Sequence, residues 1–407
     1  MRAVGLGVIS SGGSALVFGA GNVGRGLLGD VFTEAGMSVT FVDVDKTMVE
    51  ALNRDGGYPH LTVDDTHRHQ RQIRTVTALH PSASELVARA VREATVIATC
   101  VGVRALPDVC RQIAPMISAR LDTRPGTLNL LIAENLHDAA TEVRTWLLEA
   151  APTLRDPDVA RRVGVVATSI GRMIPQPRPA IQQLGVAAIE VEPYRFLPLD
   201  GEAIRGDFPM IPAVVSDRAI PFAFYAERKL WLHNMGHAMV GYLGLLGDDS
   251  YVWETCQRPG IRAWVRNAMV ESAVALAARY HRPLGPLLDH IDDLLHRFTN
   301  RALGDPLVRV ARDPDRKLAS DDRLLGAYRN CQEHGVDPRH VVLGIAAAGR
   351  QLARERHLDD AAILDLLRDR GCVDPRLPGL LAAMAGARSE GRIEQLLASA
   401  FRESRIP

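Results

Sequence analysis

The chain has 407 residues, and its 48 Lys and Arg balance 48 Asp and Glu to a formal net charge of zero. That length exceeds what one hydrophobic core usually serves and predicts two domains. The charge balance excludes a general nucleic-acid binder, which needs a basic excess to meet phosphates, and leaves room only for local basic pockets.

The five cysteines (Cys100, Cys110, Cys256, Cys331 and Cys372) are far apart and form no CxxC pair, so neither a zinc ribbon nor a dithiol redox motif is suggested. They read as reduced thiols of a cytosolic protein. The opening stretch, residues 1–21, is broken by Gly and Ser and does not read as a signal peptide. No segment reaches the roughly 18 apolar residues of a membrane span. The expectation is a soluble, cytoplasmic protein, a monomer or small homo-oligomer, with no membrane or nucleic-acid partner and no metal.

Residues 15–18 (ALVF) are a short apolar run bounded by glycines, which predicts a buried strand. A helical pattern follows from Val23 to Ala35 and ends near Gly36. Val39 to Val42 predicts a second strand ending at Asp43, and residues 46–54 another helix. Residues 58–75 are polar and rich in histidine (His60, His67, His69); their irregular spacing reads as a solvated loop or edge strand rather than a metal site. A helix is expected over 84–93, and strands over 95–101, 128–133 and 163–167. Strands alternating with helices predict a parallel, doubly wound sheet. Beyond about residue 215 long helical patterns take over, at 217–246, 260–280, 284–297, 338–356 and 359–370. The fold class is therefore an N-terminal α/β Rossmann domain, residues 1–213, followed by a mainly α-helical domain, residues 214–407.

Gly19-Ala20-Gly21-Asn22-Val23-Gly24 fits GxGxxG, and Asp43 ends the next strand 19 positions after Gly24. The pattern alone is weak. Between a strand and a helix, with an acid at that distance, it is the dinucleotide fingerprint. Gly19 permits the tight turn, Gly21 lets backbone approach the pyrophosphate, and Gly24 allows close helix–strand packing. Asn22 and Val23 present N–H groups at the helix N-terminus. Asp43 would accept hydrogen bonds from ribose hydroxyls and repel a 2′-phosphate, which favours NAD over NADP. FAD, which uses a similar turn, is the main alternative.

The second signal is Glu227-Arg228-Lys229-Leu230-Trp231-Leu232-His233-Asn234-Met235-Gly236-His237. On a regular helix Lys229 sits at 0°, His233 at about 40°, His237 at about 80° and Asn234 at about 140°. Three of these polar groups, Lys229, His237 and Asn234, on one side of an apolar helix need a reason. Alcohol oxidation supplies one: a desolvated lysine as base, an amide donating to the oxygen, and a histidine orienting the substrate. On the residues alone the stronger reading is structural, with Lys229 a surface charge, Asn234 a local backbone binder and His237 a satisfied core histidine.

GAGNVGRG, ERKLWLHNMGHAMVGYLG and RVARDPDRKLASDDRL together resemble the polyol-specific long-chain dehydrogenases, the mannitol dehydrogenase family, and within it the mannitol-1-phosphate 5-dehydrogenases. The similarity runs from about Ala15 to about Gly349. It implies an NAD-dependent, zinc-independent oxidoreductase interconverting a secondary alcohol and a ketone on a polyol or sugar phosphate, with its active site in a cleft between the two domains. The family's lysine base matches Lys229, its helix asparagine Asn234, its histidine His237, and its second oxyanion-holding asparagine Asn135. Its cofactor-lining TAVG segment matches Thr99-Cys100-Val101-Gly102. Arg312, Arg316 and Lys317 are then either a clamp for phosphate or hydroxyls, or a solvated basic turn. Two departures stand out. The family's VDRIVP motif reads Ile170-Gly171-Arg172-Met173-Ile174-Pro175, with glycine for the acid, so Arg172 borders an altered site. His233 takes the place of a more usual apolar residue and is a candidate substrate contact. Other readings are a family member acting on a different sugar, uronate or cyclitol, and a catalytically silent NAD(H)-sensing protein.

Overall fold

The computed structural model describes residues 12–390, apart from 137 and 177, together with 395 and 399. The signal-peptide question concerns a stretch whose first eleven residues lie outside the described ones. The chain divides into two compact units between Phe222 and Ala223.

The first unit is built on strands β1 (Ser14–Phe18), β2 (Ser38–Val42), β3 (Gly57–Val63), β4 (Arg68–Arg74), β5 (Val76–Leu79), β6 (Val96–Thr99), β7 (Leu128–Ile132), β8 (Val163–Ala167) and β9 (Ile189–Val191). Six of them form one parallel sheet in the order β5-β2-β1-β6-β7-β8. In chain order this is the 3-2-1-4-5-6 arrangement of the Rossmann fold, whose ligand crevice opens where the strand order reverses. Here that point lies at the carboxyl ends of β1 and β6. Side chains alternate across the sheet as the two-residue period requires. Ala15 and Val17 join a core with Leu28, Phe32 and Val39 on one face. Leu16 and Phe18 join a core with Ile97, Ile113 and Leu130 on the other.

The helices expected over 46–54 and 84–93 are found as α2 (Lys46–Asp55) and α3 (Ser84–Glu93). The helix that follows β1 runs as a π-turn, Gly24–Leu28, and then α1, Gly29–Glu34. Gly36 closes it at φ 76°. Two further helices, α4 (Leu106–Thr123) and α5 (Ala139–Ala150), cover the sheet. The histidine-rich stretch corrects the sequence reading in part. It is a hairpin in a second sheet ordered β4-β3-β9, with the polar β4 at its edge. The central β3 is mostly buried, and His60 is fully enclosed rather than solvated.

The second unit is helical, apart from an isolated bridge between Tyr251 and Pro306. Its long elements are α6 (Phe222–Arg228), α7 (Met235–Gly244), α8 (Pro259–Tyr280), α9 (Gly285–Phe298), α10 (Leu325–Glu333), α11 (Arg339–Arg356), α12 (Asp360–Asp369) and α13 (Leu377–Glu390). Among the described residues no helix is long and apolar enough to cross a membrane.

Candidate active site

Gly19 leaves β1 at φ 102°, a conformation that only glycine adopts cheaply, and a Cβ there would stand 2.6 Å from the carbonyl oxygen of Cys100. Gly24 is closed off in the same way, since its Cβ would run into the Gly19 carbonyl oxygen. Gly21 differs: it is exposed, and nothing lies within 4 Å of where its Cβ would be. Two glycines are thus demanded by packing, and the third borders open space of the kind a pyrophosphate needs. Asp43 is tied into this turn. Its Oδ2 accepts the Ala20 N–H at 2.6 Å and its Oδ1 the Asp45 N–H at 2.9 Å. A carboxylate has about four acceptor sites, so ribose hydroxyls can still bind it.

Two residues outside the sequence expectations shape this end of the sheet. The buried Arg25 donates from Nε to Ala20 O at 2.6 Å and from Nη1 to Ala187 O at 2.6 Å, which ties the turn to the segment before β9. The Glu134 carboxylate accepts the N–H groups of Val101 (2.7 Å) and Gly102 (3.0 Å), fixing the loop after β6. Burial pushes the Glu134 carboxyl above the usual range. Thr99 is fully buried, Val101 partly so, and Gly102 is exposed at φ 85°. Asn135 is exposed just beyond β7, and Asn22 donates to Pro175 O at 3.3 Å. All five cysteines are free.

Arg172 is turned into the fold. Its Nη1 reaches Asp30 Oδ2 at 2.6 Å and Gly26 O at 2.8 Å, and its Nε reaches Glu192 O at 2.9 Å. Asp30 is itself fully buried and also pairs with Arg71, with Arg195 at 3.5 Å and with His60 at 3.6 Å. A buried charge is tolerated only when paired in this way. Arg172 therefore locks the segment around it onto α1, rather than presenting its guanidinium to a ligand. At Gly171 a Cβ would stand 3.0 Å from Cε1 of Tyr194, so a tyrosine ring lies against the position of the missing acid.

In the second unit the continuous helix 222–244 is interrupted by a π-turn at Lys229–Asn234, closed by Met235 N–H donating to Leu230 O five residues back. This corrects the regular-helix geometry. A turn widened by one residue brings positions five apart, Lys229 and Asn234, closer to one line than the about 140° of an α-helix. Such turns concentrate at functional sites. Lys229 and Asn234 are partly buried. Burial first, and the Arg323 guanidinium second, lower the Lys229 ammonium to about 8.

His237 lies one turn further on. Its Nε2 is 3.0 Å from Asp305 Oδ2, and its ring stacks on Phe298 with centroids 5.2 Å apart. His233 is buried, 6.2 Å from the His237 ring and 5.8 Å from Phe298. Its surroundings hold it neutral: burial first, then Arg297, drive its pKa well below the ordinary histidine value. Asp305 went unread in the sequence, where an Asp in a Gly-Asp-Pro turn is ordinary.

Lys317 is buried and donates to the carbonyls of Val310 and, at 2.6 Å, Arg312. Burial lowers its ammonium to about 8. Two of its three donors are thus used on the loop's own backbone, and the ammonium lies 5.6 Å from the centre of the Tyr242 ring. Arg312 and Arg316 are exposed; Arg312 Nε lies 3.4 Å from Arg309 O, and Arg316 Nη1 lies 3.2 Å from Asp322 Oδ2. Among the described residues no three His, Cys, Asp or Glu side chains gather as a metal site would require.

Comparison with known proteins agrees with both halves of this description. The Rossmann-domain model of mannitol dehydrogenases matches residues 13–212, and the C-terminal-domain model residues 222–369. The mannitol-1-phosphate 5-dehydrogenase of Thermoanaerobacter pseudethanolicus is 30% identical over 82% of this chain and 84% of its own. That of Brevibacillus brevis is 32% identical over 82% and 85%. Among solved structures, a D-sorbitol dehydrogenase superposes with a TM-score of 0.74 at 16% identity, covering 96% of both chains. The Pseudomonas fluorescens mannitol 2-dehydrogenase, solved as a ternary complex with NAD and D-mannitol, superposes with a TM-score of 0.69 at 17% identity, covering 99% of this chain and 96% of its own. With most of the Rossmann unit and most of the helical unit matched, the chain belongs to the mannitol dehydrogenase family.

Proposed function

We propose that this dehydrogenase uses NAD to interconvert a secondary alcohol and a ketone on a polyol or sugar phosphate, without zinc and with Lys229 as general base. Residues 1–213 are the NAD-binding domain in this reading, and 214–407 carry the base. The observation that carries it is a lysine lowered to about 8 on a π-turn shared with Asn234, one helical turn before His237. An ordinary lysine, with a pKa near 10.4, is almost wholly protonated at neutral pH and cannot accept a proton. At about 8, roughly a tenth is neutral at pH 7, a gain of more than a hundredfold in available base.

The glycine turn fits a dinucleotide, because Gly21 is open where Gly19 and Gly24 are not. NAD, when bound, supplies the hydride acceptor. Lys229 takes the hydroxyl proton, Asn234 and Asn135 donate amide hydrogen bonds to the oxygen, and His237 orients the substrate. Asp43 selects NAD by accepting the ribose hydroxyls, with Asn22, Val23, Thr99, Val101 and Gly102 around the cofactor. Arg312 and Arg316 are the proposed clamp for a phosphate, a reading supported by relatives named for a sugar phosphate. His233 borders the substrate, and Lys317 and Arg172 shape the surroundings from within the fold.

A second substrate reading rests on Tyr194 against Gly171: a different sugar, uronate or cyclitol. The test is NADH oxidation with a panel of ketose phosphates, free ketoses, uronates and cyclitol ketones. Turnover confined to ketose phosphates or free ketoses supports the first reading, and turnover only on uronates or cyclitol ketones supports the second. NADH binding with no turnover on any of them refutes the enzyme reading. On the best substrate, Lys229→Ala should cost about 10²–10⁴ in turnover while leaving NADH affinity nearly unchanged.

A further inference from the structure

We infer that Asp305 is a positioning residue that makes His237 a hydrogen-bond acceptor toward the substrate, so that the group His237 reads must be a hydroxyl offering its proton. The inference rests on the proposed role of His237. Asp305 Oδ2 lies 3.0 Å from His237 Nε2. The other oxygen, Oδ1, accepts Arg309 Nε–H at 2.8 Å and forms an ion pair with Nη2 at 2.6 Å. The pair is well enclosed, with side-chain exposures of 20% for His237 and 10% for Asp305. The carboxylate is held on its backbone side as well, since Asp305 O accepts the Val252 N–H at 3.0 Å and Gly304 turns the chain at φ 53°. Phe298, stacked 25° from the imidazole plane, limits rotation of the ring.

An ionised carboxylate only accepts hydrogen bonds, so the neutral imidazole must carry its proton on Nε2. Its Nδ1 is then a lone pair. Among the described residues no protein hydrogen bond to Nδ1 is found. A polyol hydroxyl is the substrate group that can supply the missing proton.

Arg309 makes the arrangement testable. A guanidinium only donates. In Asp305→Asn the amide oxygen must therefore stay toward Arg309, and the amide nitrogen turns toward His237. An NH₂ group cannot accept, so Nε2 becomes the acceptor and the ring proton moves to Nδ1. The acceptor that meets the substrate becomes a donor.

The experiment compares wild type, Asp305→Asn and the double variant Asp305→Asn/Arg309→Met, as full chains saturated with NADH. Nitrogen NMR of labelled histidine reads the tautomer, with the His237 signals identified by their loss in His237→Gln. Wild type should carry the proton on Nε2, and Asp305→Asn should carry it on Nδ1. Turnover of Asp305→Asn should fall about 10²–10⁴-fold, the scale on which a carboxylate-to-amide change beside a working imidazole acts. Removing Arg309 frees the amide to rotate, so the double variant should regain Nε2–H and at least tenfold of the lost turnover. An Nδ1 proton or an imidazolium in wild type overturns the inference even if no variant folds. So does an inverted tautomer with unchanged turnover, or a double variant that recovers nothing. Lys229→Ala retaining turnover would instead defeat the base assignment and leave the tautomer result standing.

Discussion

A lysine held at about 8 in the folded chain destabilises it, and Lys229→Met should show by how much. The unfolded chain keeps the lysine near 10.5, so the fall to about 8 corresponds to about 3 kcal/mol of folding stability forgone at neutral pH. Water still reaches part of Lys229, and its own hydrogen bonds are lost in the variant, so this figure is a ceiling. Below pH 8 both states are protonated and the full penalty is present. Between about 8 and 10.5 the folded state releases its proton while the unfolded state holds it, so stability rises with pH and the penalty fades. Urea unfolding at pH 7 should therefore give Lys229→Met the higher midpoint, by up to about 3 kcal/mol, with turnover lost. At pH 10 the advantage should shrink to about 1 kcal/mol. Groups that titrate in both proteins cancel from the difference. A variant no more stable than wild type at pH 7, or an advantage indifferent to pH, would refute the claim that Lys229 is strained toward its neutral form.

Three further outcomes follow from the Rossmann unit and the metal-free reading. Gly24→Ala should unfold or lose NADH binding altogether, because its methyl meets the Gly19 carbonyl, whereas Gly21→Ala should keep its melting temperature and weaken NADH binding measured by fluorescence. Equal effects of the two on stability would contradict the packing assigned to them. Asp43→Asn should narrow the preference for NADH over NADPH by at least about tenfold, since a carboxylate no longer faces the 2′-phosphate; unchanged selectivity in titrations would remove Asp43 from the ribose site. Activity should survive prolonged EDTA treatment, and a loss that zinc restores would end the metal-free mechanism.

Much of the Rossmann unit was legible because its signals are local. Apolar runs at 15–18, 39–42, 128–133 and 163–167 lie between glycine or polar punctuation, and each became a strand of the parallel sheet. Helix α4 was not readable in the same way, since Pro115 sits inside it and proline ordinarily ends a helix. His60 was misjudged as solvated because the turn and second strand of the hairpin, residues 64–74, are mostly polar. Its burial depends on Asp30, thirty positions away, and on arginines further still. Arg172 shows the same limit: next to an altered motif it looked like a ligand contact, while its partners Asp30 and Gly26 come from a helix more than 140 residues earlier. In the helical unit Lys229, Asn234 and His237 could be picked out by residue type. The widened turn that relates them has no residue signature, and Asp305 joins His237 across 68 positions.

That widened turn takes up a difference in chain length without loss of alignment. A π-turn is an α-helix holding one residue too many, so deleting any one residue between Lys229 and Asn234 would let the helix close regularly. The two parts of the helix would keep their relative rotation, because the turn already absorbs the extra residue. Lys229 and the asparagine would then stand four apart, about 40° from one line on a regular helix, and the histidine would stay with them. Point substitutions do not probe this, because none of them changes the count. In a lineage of such proteins, a single-codon gap here would change the backbone while leaving the three polar residues on one face.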